Sequence, residues 1–546
     1  MPAGRLCPRQ ERTYNARVRA LGLAFLAIGL TATLTGAPAG RNDAAINRAF
    51  REFWSAADRS AAARHIEAVI KSGVSFEDAI SRVRRGRAYD PNAPRGLQSG
   101  RTRTFDGIEH RYAFVVPESY NASRSYQVRV HLHGGAARPG PAAIDRIRTD
   151  SLPGTVEEIG VYPSAWADSM WWSARQADNL GRILERLKRT YNIDENRIYL
   201  TGSSDGGTGA YFMAFKDTTP WASFLPFIGD MMVLSSPAVG VDTEIFPGNA
   251  VSKPLYVVNG GRDRLYPAHV VQPYVGHLES LGARVVFRLY PESGHSTAWW
   301  PDERGAVEAF VREHPRDPLP DTISWETERT DRFNRAHWLV IDRLGASRGD
   351  SRLPDSNLFR RGREYDFGLR VNSASDAGRG ISAVVPGSNA FRFGFHAGDR
   401  IVEADGKPVA NGRDVSDSMQ QWKIGAPLRF VVERGGRQVA LQGVFEPAEV
   451  DVPPAPLFPR TKPSGRVDLA RRGNGVEVSS QGVRALTLLL SPAMFDFGRP
   501  VIVVANGRTV FDGRIEPSVA TLLKWAARDD DRTMVFGAEL KIDLGE

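Results

Sequence analysis

Residues 197–207 read RIYLTGSSDGG, and this stretch decides the fold. Arg197 to Thr201 is a short run of strand type, and Thr208 to Phe215 suits a helix. Between them Gly202-Ser203-Ser204-Asp205-Gly206 fits G-x-S-x-G. A strand-to-helix turn tight enough to expose a serine oxygen leaves no room for a Cβ beside it, and the flanking glycines meet that demand. Ser204 is therefore the candidate nucleophile, carried on a turn at the end of a strand.

A serine hydroxyl is a weak nucleophile at neutral pH and needs a base, which in turn needs an orienting acid. On a sheet of this kind they follow the serine in the order Asp or Glu, then His. Asp263 comes after the apolar run PLYVV, and His295 comes after VVFRLY. Both stand just past the C-terminal end of a strand, where open α/β sheets place their sites. Upstream, the strand QVRVHLH ends in Gly134-Gly135. Backbone N–H groups near Gly135 and at Asp205 are the candidate donors to an oxyanion. His133 competes with His295 as the base, but it precedes the serine and sits in the oxyanion turn. It reads as structural, and His131 likewise. Trp166, Trp171, Trp172, Trp299 and Trp300 suit an aromatic pocket and ordinary packing about equally.

From Arg101 to about Pro320, strand and helix patterns alternate. Ala177 to Tyr191 has a helical face of Leu180, Ile183, Leu184 and Leu187, while Met231–Leu234, Pro254–Val258 and Arg284–Leu289 read as apolar strands. The alternation implies a mostly parallel sheet covered by helices. With its LHGG turn and its NIDENRIYLTGSSDGG, GGRDRLYP and SGHSTAWW blocks, the region 101–315 resembles the α/β-hydrolase superfamily. It is most similar there to secreted esterases related to feruloyl esterases and polyhydroxybutyrate depolymerases. The resemblance implies Ser204 as nucleophile, His295 as base and Asp263 as acid, with amides of Gly135 and Asp205 at the oxyanion. Asp205 departs from the group, which often has Met or another uncharged residue there. A carboxylate at this place would raise a neighbouring histidine's pKa or disfavour anionic substrates.

A second module follows a polar connector. Asp366-Phe367-Gly368-Leu369, GISAVVPGSNAFRFGFHAGDRIVEADGKPV, a helix-like run from Val415 to Trp422 and LRFVVERGG together resemble a bacterial PDZ domain, spanning about 360–448. The glycine in Phe367-Gly368-Leu369 lets successive N–H groups converge on a terminal carboxylate, and the strand after it offers an edge to a peptide. Residues near Val415 and Met419 are expected to line the pocket for the peptide's last side chain.

Residues 40–100 form a helical N-terminal cap, with Ile46, Phe50, Phe53 and Trp54 on one face and Ile66, Val69 and Ile70 on another. Phe76, Ile80 and Val83 resume the pattern, and Asp90 to Gly100 is a linker. The segments 321–350 and 460–546 are both β-patterned and each is short to fold alone. They are expected to form one sandwich-like domain with the PDZ module inserted between them. Asn506-Gly507 between two apolar runs is a hairpin signal.

The 546 residues suit three or four folded units, at about 150 residues each. The formal charge is +8, but residues 1–39 hold five arginines against Glu11, and without them +4 remains. No basic run is interleaved with aromatics, so nucleic acid is not an expected partner. The basic leader, the apolar run from Ala20 to about Leu34 and Ala37-Pro38-Ala39 read as a signal peptide over 1–39, with an uncleaved anchor as the alternative. The run is short for a membrane span. Cys7, inside the leader, is the only cysteine, so no disulfide framework, thiolate nucleophile or cysteine metal site is expected, and no cofactor is implied. The expectation is an exported, periplasmic or secreted, serine hydrolase. Its substrate would be a small-molecule or polymer carboxylic ester, and its PDZ module would take a peptide or protein C-terminus. A peptidase with the same triad and a catalytically silent binding protein are the alternatives.

Overall fold

The computed structural model describes residues 39–137, 140, 157–236, 239–263, 265–266, 268–346, 367–371, 379–419, 422–423, 425–446, 457–458 and 460–545. The leader therefore lies outside the described residues, as does most of the connector before the second module. Four helices open the described chain: α1 (Ala39–Ser55), α2 (Arg59–Arg64), α3 (Ile66–Lys71) and α4 (Phe76–Arg85). Asp58 and Ser75 cap α2 and α4 by accepting backbone N–H groups, which satisfies donors a helix start leaves open. Ile46, Phe50, Phe53, Val69 and Val83 are buried, whereas Ile70, assigned to the same faces from spacing, is exposed.

The strands that follow are β1 (Gly96–Arg103), β2 (Glu109–Val116), β3 (Tyr126–Leu132), β4 (Glu158–Pro163), β5 (Ile193–Ser203), β6 (Ser223–Phe227), β7 (Leu255–Gly260) and β8 (Val285–Tyr290). They build one sheet in the order β1-β2-β4-β3-β5-β6-β7-β8. The first two strands run antiparallel, and β4, β3 and β5 to β8 are parallel to one another. Helices α5 (Ala174–Thr190), α6 (Asp205–Lys216), α7 (Ala268–Ser280) and α8 (Trp300–Glu313) connect or flank them. This is the α/β-hydrolase arrangement. Two sequence expectations need correction. Strand β1 begins at Gly96, inside the expected linker, because Gly96 already pairs with Val116. Met231–Ser235 is a 3₁₀ turn rather than a strand, since the Asp230 side chain accepts the Met232 N–H and winds the chain. The strand of that region is β6, whose five residues are all buried.

After α8 the chain makes β9 (Thr322–Thr327), β10 (Arg335–Ala336) and β11 (Leu339–Leu344). The second module holds β12 (Leu369–Val371), β13 (Ile381–Val384), α9 (Asn389–Phe393), β14 (Arg400–Ala404), β15 (Lys407–Pro408), α10 (Gly412–Met419), β16 (Pro427–Arg434) and β17 (Arg437–Val444). Then come β18 (Gly465–Arg472), β19 (Gly475–Gln481), β20 (Val483–Leu490), β21 (Val501–Ala505), β22 (Arg508–Gly513), α11 (Val519–Asp529) and β23 (Ala538–Asp543). The strands on either side of the second module complete common sheets, β10-β11-β20-β23 and β22-β21-β19-β18-β9. Trp325, Trp338, Leu486 and Val503 share their core. At the β21–β22 turn Asn506 and Gly507 both have positive φ, 49° and 77°, as a two-residue hairpin of that hand requires.

The sandwich and the N-terminal helices gather at one end of the hydrolase sheet. Arg532 pairs with Glu195 at the start of β5, and the His337 N–H is accepted by Thr219 just before β6. Asn249, before β7, donates to the Glu326 carbonyl. Lys216, at the foot of α6, pairs with Glu328 at 2.7 Å, both fully buried. The N-terminal helices pack on Leu522, Leu523 and Ala526 of α11 and touch α5 at Glu185 and Arg189, near its last turn. All of these contacts lie at strand N-terminal ends or helix C-terminal ends.

Candidate active site

Every sequence-derived triad residue stands at the C-terminal edge of a parallel strand. Ser204 is the residue between β5 and α6, with φ 58° and ψ −120°. This strained conformation is tied at both ends: the Ser204 N–H donates to the Phe227 carbonyl at 3.0 Å, and the Ser204 carbonyl accepts from Thr208 at 3.0 Å. A Cβ on Gly206 would collide with the Leu132 carbonyl, so the turn closes only around glycine.

The structure brings Ser204, His295 and Asp263 into one hydrogen-bonded chain. His295 Nε2 lies 2.8 Å from Ser204 Oγ, and His295 Nδ1 lies 2.8 Å from Asp263 Oδ2. Asp263 is buried, and its other oxygen accepts the Leu265 and Tyr266 N–H groups at 2.8 and 2.9 Å. Both carboxylate oxygens are thus held, and one direction is left for the imidazole. The Tyr266 ring meets the His295 ring edge-on at 5.7 Å. Burial, then the charges of Asp205, Asp230 and Asp263, push its phenol up to about 12. Asp230, buried behind the site, has its own carboxyl pushed up to about 6 by desolvation, against the opposing Met232 N–H.

The turn after β3 lies directly on the nucleophile. A Cβ on Gly134 would stand 2.9 Å from Ser204 Cβ, and Gly135 has φ 61°. His133 holds this turn from below. Its Nε2 accepts the Ala165 N–H at 3.1 Å, which leaves the proton on Nδ1 to reach the Gly134 carbonyl at 3.0 Å. Trp171 Nε1 donates to the His133 carbonyl at 2.8 Å. Asp205, the first residue of α6, reaches across: its Oδ2 accepts the Ala136 N–H at 2.7 Å. The sequence offered no sign of that bond or of the Trp171 contact, because both join residues far apart in the chain. His131 is buried against Tyr162, stacked at 4.8 Å, and desolvation brings its imidazole down to about 3. All five tryptophans weighed for an aromatic pocket are buried, and Trp299 packs on Phe227 and Tyr290. Among the described residues no group of three or more His, Cys, Asp or Glu is placed to hold a metal ion.

In the second module Phe367 is fully buried among Phe393, Phe395, Trp422 and Phe430. Gly368 has φ 86°, and a side chain there would collide with Ser388. Leu369 opens β12. Val415 is buried in the module's core rather than standing on an open wall, and the side chain of Met419 lies outside the described residues.

Residues 380–434 match the family model of the PDZ domain. Over 64 residues in this region the chain is 41% identical to proteins named as zinc metalloproteases from Brucella suis biovar 1 (strain 1330) and Brucella melitensis biotype 1. That match takes in 12% of this chain and only 17% of each relative. Among solved structures, a thermostable esterase is 22% identical, covering 40% of this chain and 63% of that one, with a TM-score of 0.32. An acylaminoacyl peptidase of Pyrococcus horikoshii is 15% identical over 40% of each chain, with a TM-score of 0.31. An S-formylglutathione hydrolase from Agrobacterium tumefaciens is 14% identical over 40% of this chain and 95% of that one, with a TM-score of 0.32.

Proposed function

We propose that this chain is an exported serine hydrolase that cleaves carboxylic esters through an acyl-enzyme. The observation that carries the reading is the unbroken chain from Ser204 Oγ through His295 to Asp263, with 2.8 Å at each link. With Nδ1–H donating to Asp263, His295 presents Nε2 to accept the serine proton. Ser204 Oγ then attacks the acyl carbon, and the carbonyl oxygen becomes an oxyanion facing the amides of Gly135 and Asp205. His295 returns its proton to the departing alcohol oxygen, which leaves the acyl group on Ser204. Water, deprotonated by the same imidazole, attacks the ester carbon, and the acid departs as Oγ takes the proton back.

The PDZ domain serves in this reading to bind a peptide or protein C-terminus at Phe367-Gly368-Leu369, where the positive φ of Gly368 turns backbone N–H groups toward one point. Export rests on the basic leader and apolar run of residues 1–39. Among the described residues no helix is long and apolar enough to cross a membrane.

A fluorophosphonate probe tests the core of the proposal. Labelling of the folded protein that disappears in Ser204→Ala is the expected result, and a folded wild type that resists the probe overturns it. Ester and peptide substrates of matched acyl groups then decide between esterase and peptidase; turnover of the peptides alone would replace the ester reading.

A further inference from the structure

The carboxylate of Asp205 stands next to the nucleophile, where a negative charge opposes the developing oxyanion by simple Coulomb repulsion. Its place is nevertheless well made. As first residue of α6 it sits where the helix dipole favours an anion, and its Oδ2 accepts the Ala136 N–H at 2.7 Å. That bond joins two elements that must keep register for the chemistry proposed above: the helix bearing the Asp205 amide, and the turn bearing the Gly135 amide. Ties from Ala165 and Trp171 reach the turn at His133, before the glycines. Ala136 lies after them. The Asp205 bond therefore ties the turn at a residue beyond the glycines.

We infer that Asp205 is a positioning residue, whose side chain holds the oxyanion turn at working distance from its own backbone amide. The inference rests on the hydrolase reading and deepens it. What the site uses is the acceptor oxygen rather than the charge. An asparagine can supply the same acceptor and lacks the charge that opposes the oxyanion.

The test is steady-state hydrolysis of a p-nitrophenyl ester by the full chain, beside fluorophosphonate labelling and a thermal melt. Asp205→Ala is expected to lower kcat about 10- to 100-fold, below the loss seen when an oxyanion donor itself is removed. KM should stay within about threefold, because the ground-state ester gains little from the aligned amides. Asp205→Asn is expected to recover most of the loss. Asp205→Met, which keeps a long side chain without a strong acceptor, repeats the measurement if the alanine variant folds poorly. An unchanged kcat in the alanine and methionine variants overturns the inference alone. So does an equal loss in the asparagine variant, which would assign the effect to charge. A wild type that neither turns over nor takes the label overturns the hydrolase reading and this inference with it.

Discussion

A buried histidine without a hydrogen-bond partner is an acid-sensitive element in any fold, and among the described residues His131 is one. Its imidazole falls from an ordinary value of 6.5 to about 3, through burial first and then the nearby Arg129 charge. Below pH 6.5 the unfolded chain binds a proton that the folded chain refuses, so wild-type stability is whole above that pH and drops as pH falls toward 3. His131→Phe keeps the stacking on Tyr162 without the titration. Relative to wild type it should gain about 2 kcal/mol between pH 8 and pH 5, read from urea melts at the two pH values. At this scale much of the site was legible. Ser204, Asp263 and His295 each follow an apolar run, so strand ends could be located and the three placed on one edge. The bond from Asp205 to Ala136 spans 69 residues and leaves no local mark.

Helix α11 shows how an element can be missed while its neighbours are read correctly. The C-terminal region is expected to be β-rich, and six of its seven described elements are strands; the seventh is a helix that strand patterning does not announce. The helix is set by the Ser518 cap, which accepts the Thr521 N–H, and by Leu522, Leu523 and Ala526, which complete the core of α1 to α4. Spacing showed that the N-terminal helices had an apolar face, but could not show what covered it. Met231–Ser235 failed for the converse reason: four apolar residues in a row carry no period, and a single Asp230 bond decided the geometry. Leu523 is fully buried in this shared core. Leu523→Ala should lower stability by about 2–5 kcal/mol. Hydrogen exchange should rise first in α1 to α4, while labelling of Ser204 persists because the site lies at the other end of the sheet.

Across the whole molecule the modules are joined by buried charge. Arg316 and Asp531 pair at 2.7 Å with essentially no exposure, and Lys188 stands 3.9 Å from the same carboxylate. These cations hold Asp531 well below the usual carboxylate range against the opposing desolvation. Mild acid therefore leaves Asp531 itself charged. Asp531→Asn leaves Arg316 uncompensated in the interior and should lower stability by about 3–5 kcal/mol in a chemical melt. No sequence pattern points to this contact, since its partners are 215 residues apart and each looks like ordinary surface charge. The division of one sandwich around the PDZ domain was easier to infer, because two β-patterned segments too short to close a core invite each other.

Two residues that follow the PDZ domain in the chain are anchored. Leu457 and Phe458 are buried in the hydrolase core, and the Phe458 ring meets Phe215 of α6 edge-on at 6.3 Å. Outgoing chain leaves from β11 in the sandwich, so the PDZ domain is slung between two anchors on two different bodies. In mechanical terms, tension applied to that domain divides between them. One share passes through Phe458 to the helix whose first residue follows Ser204, so a load on this segment reaches the turn of the candidate nucleophile.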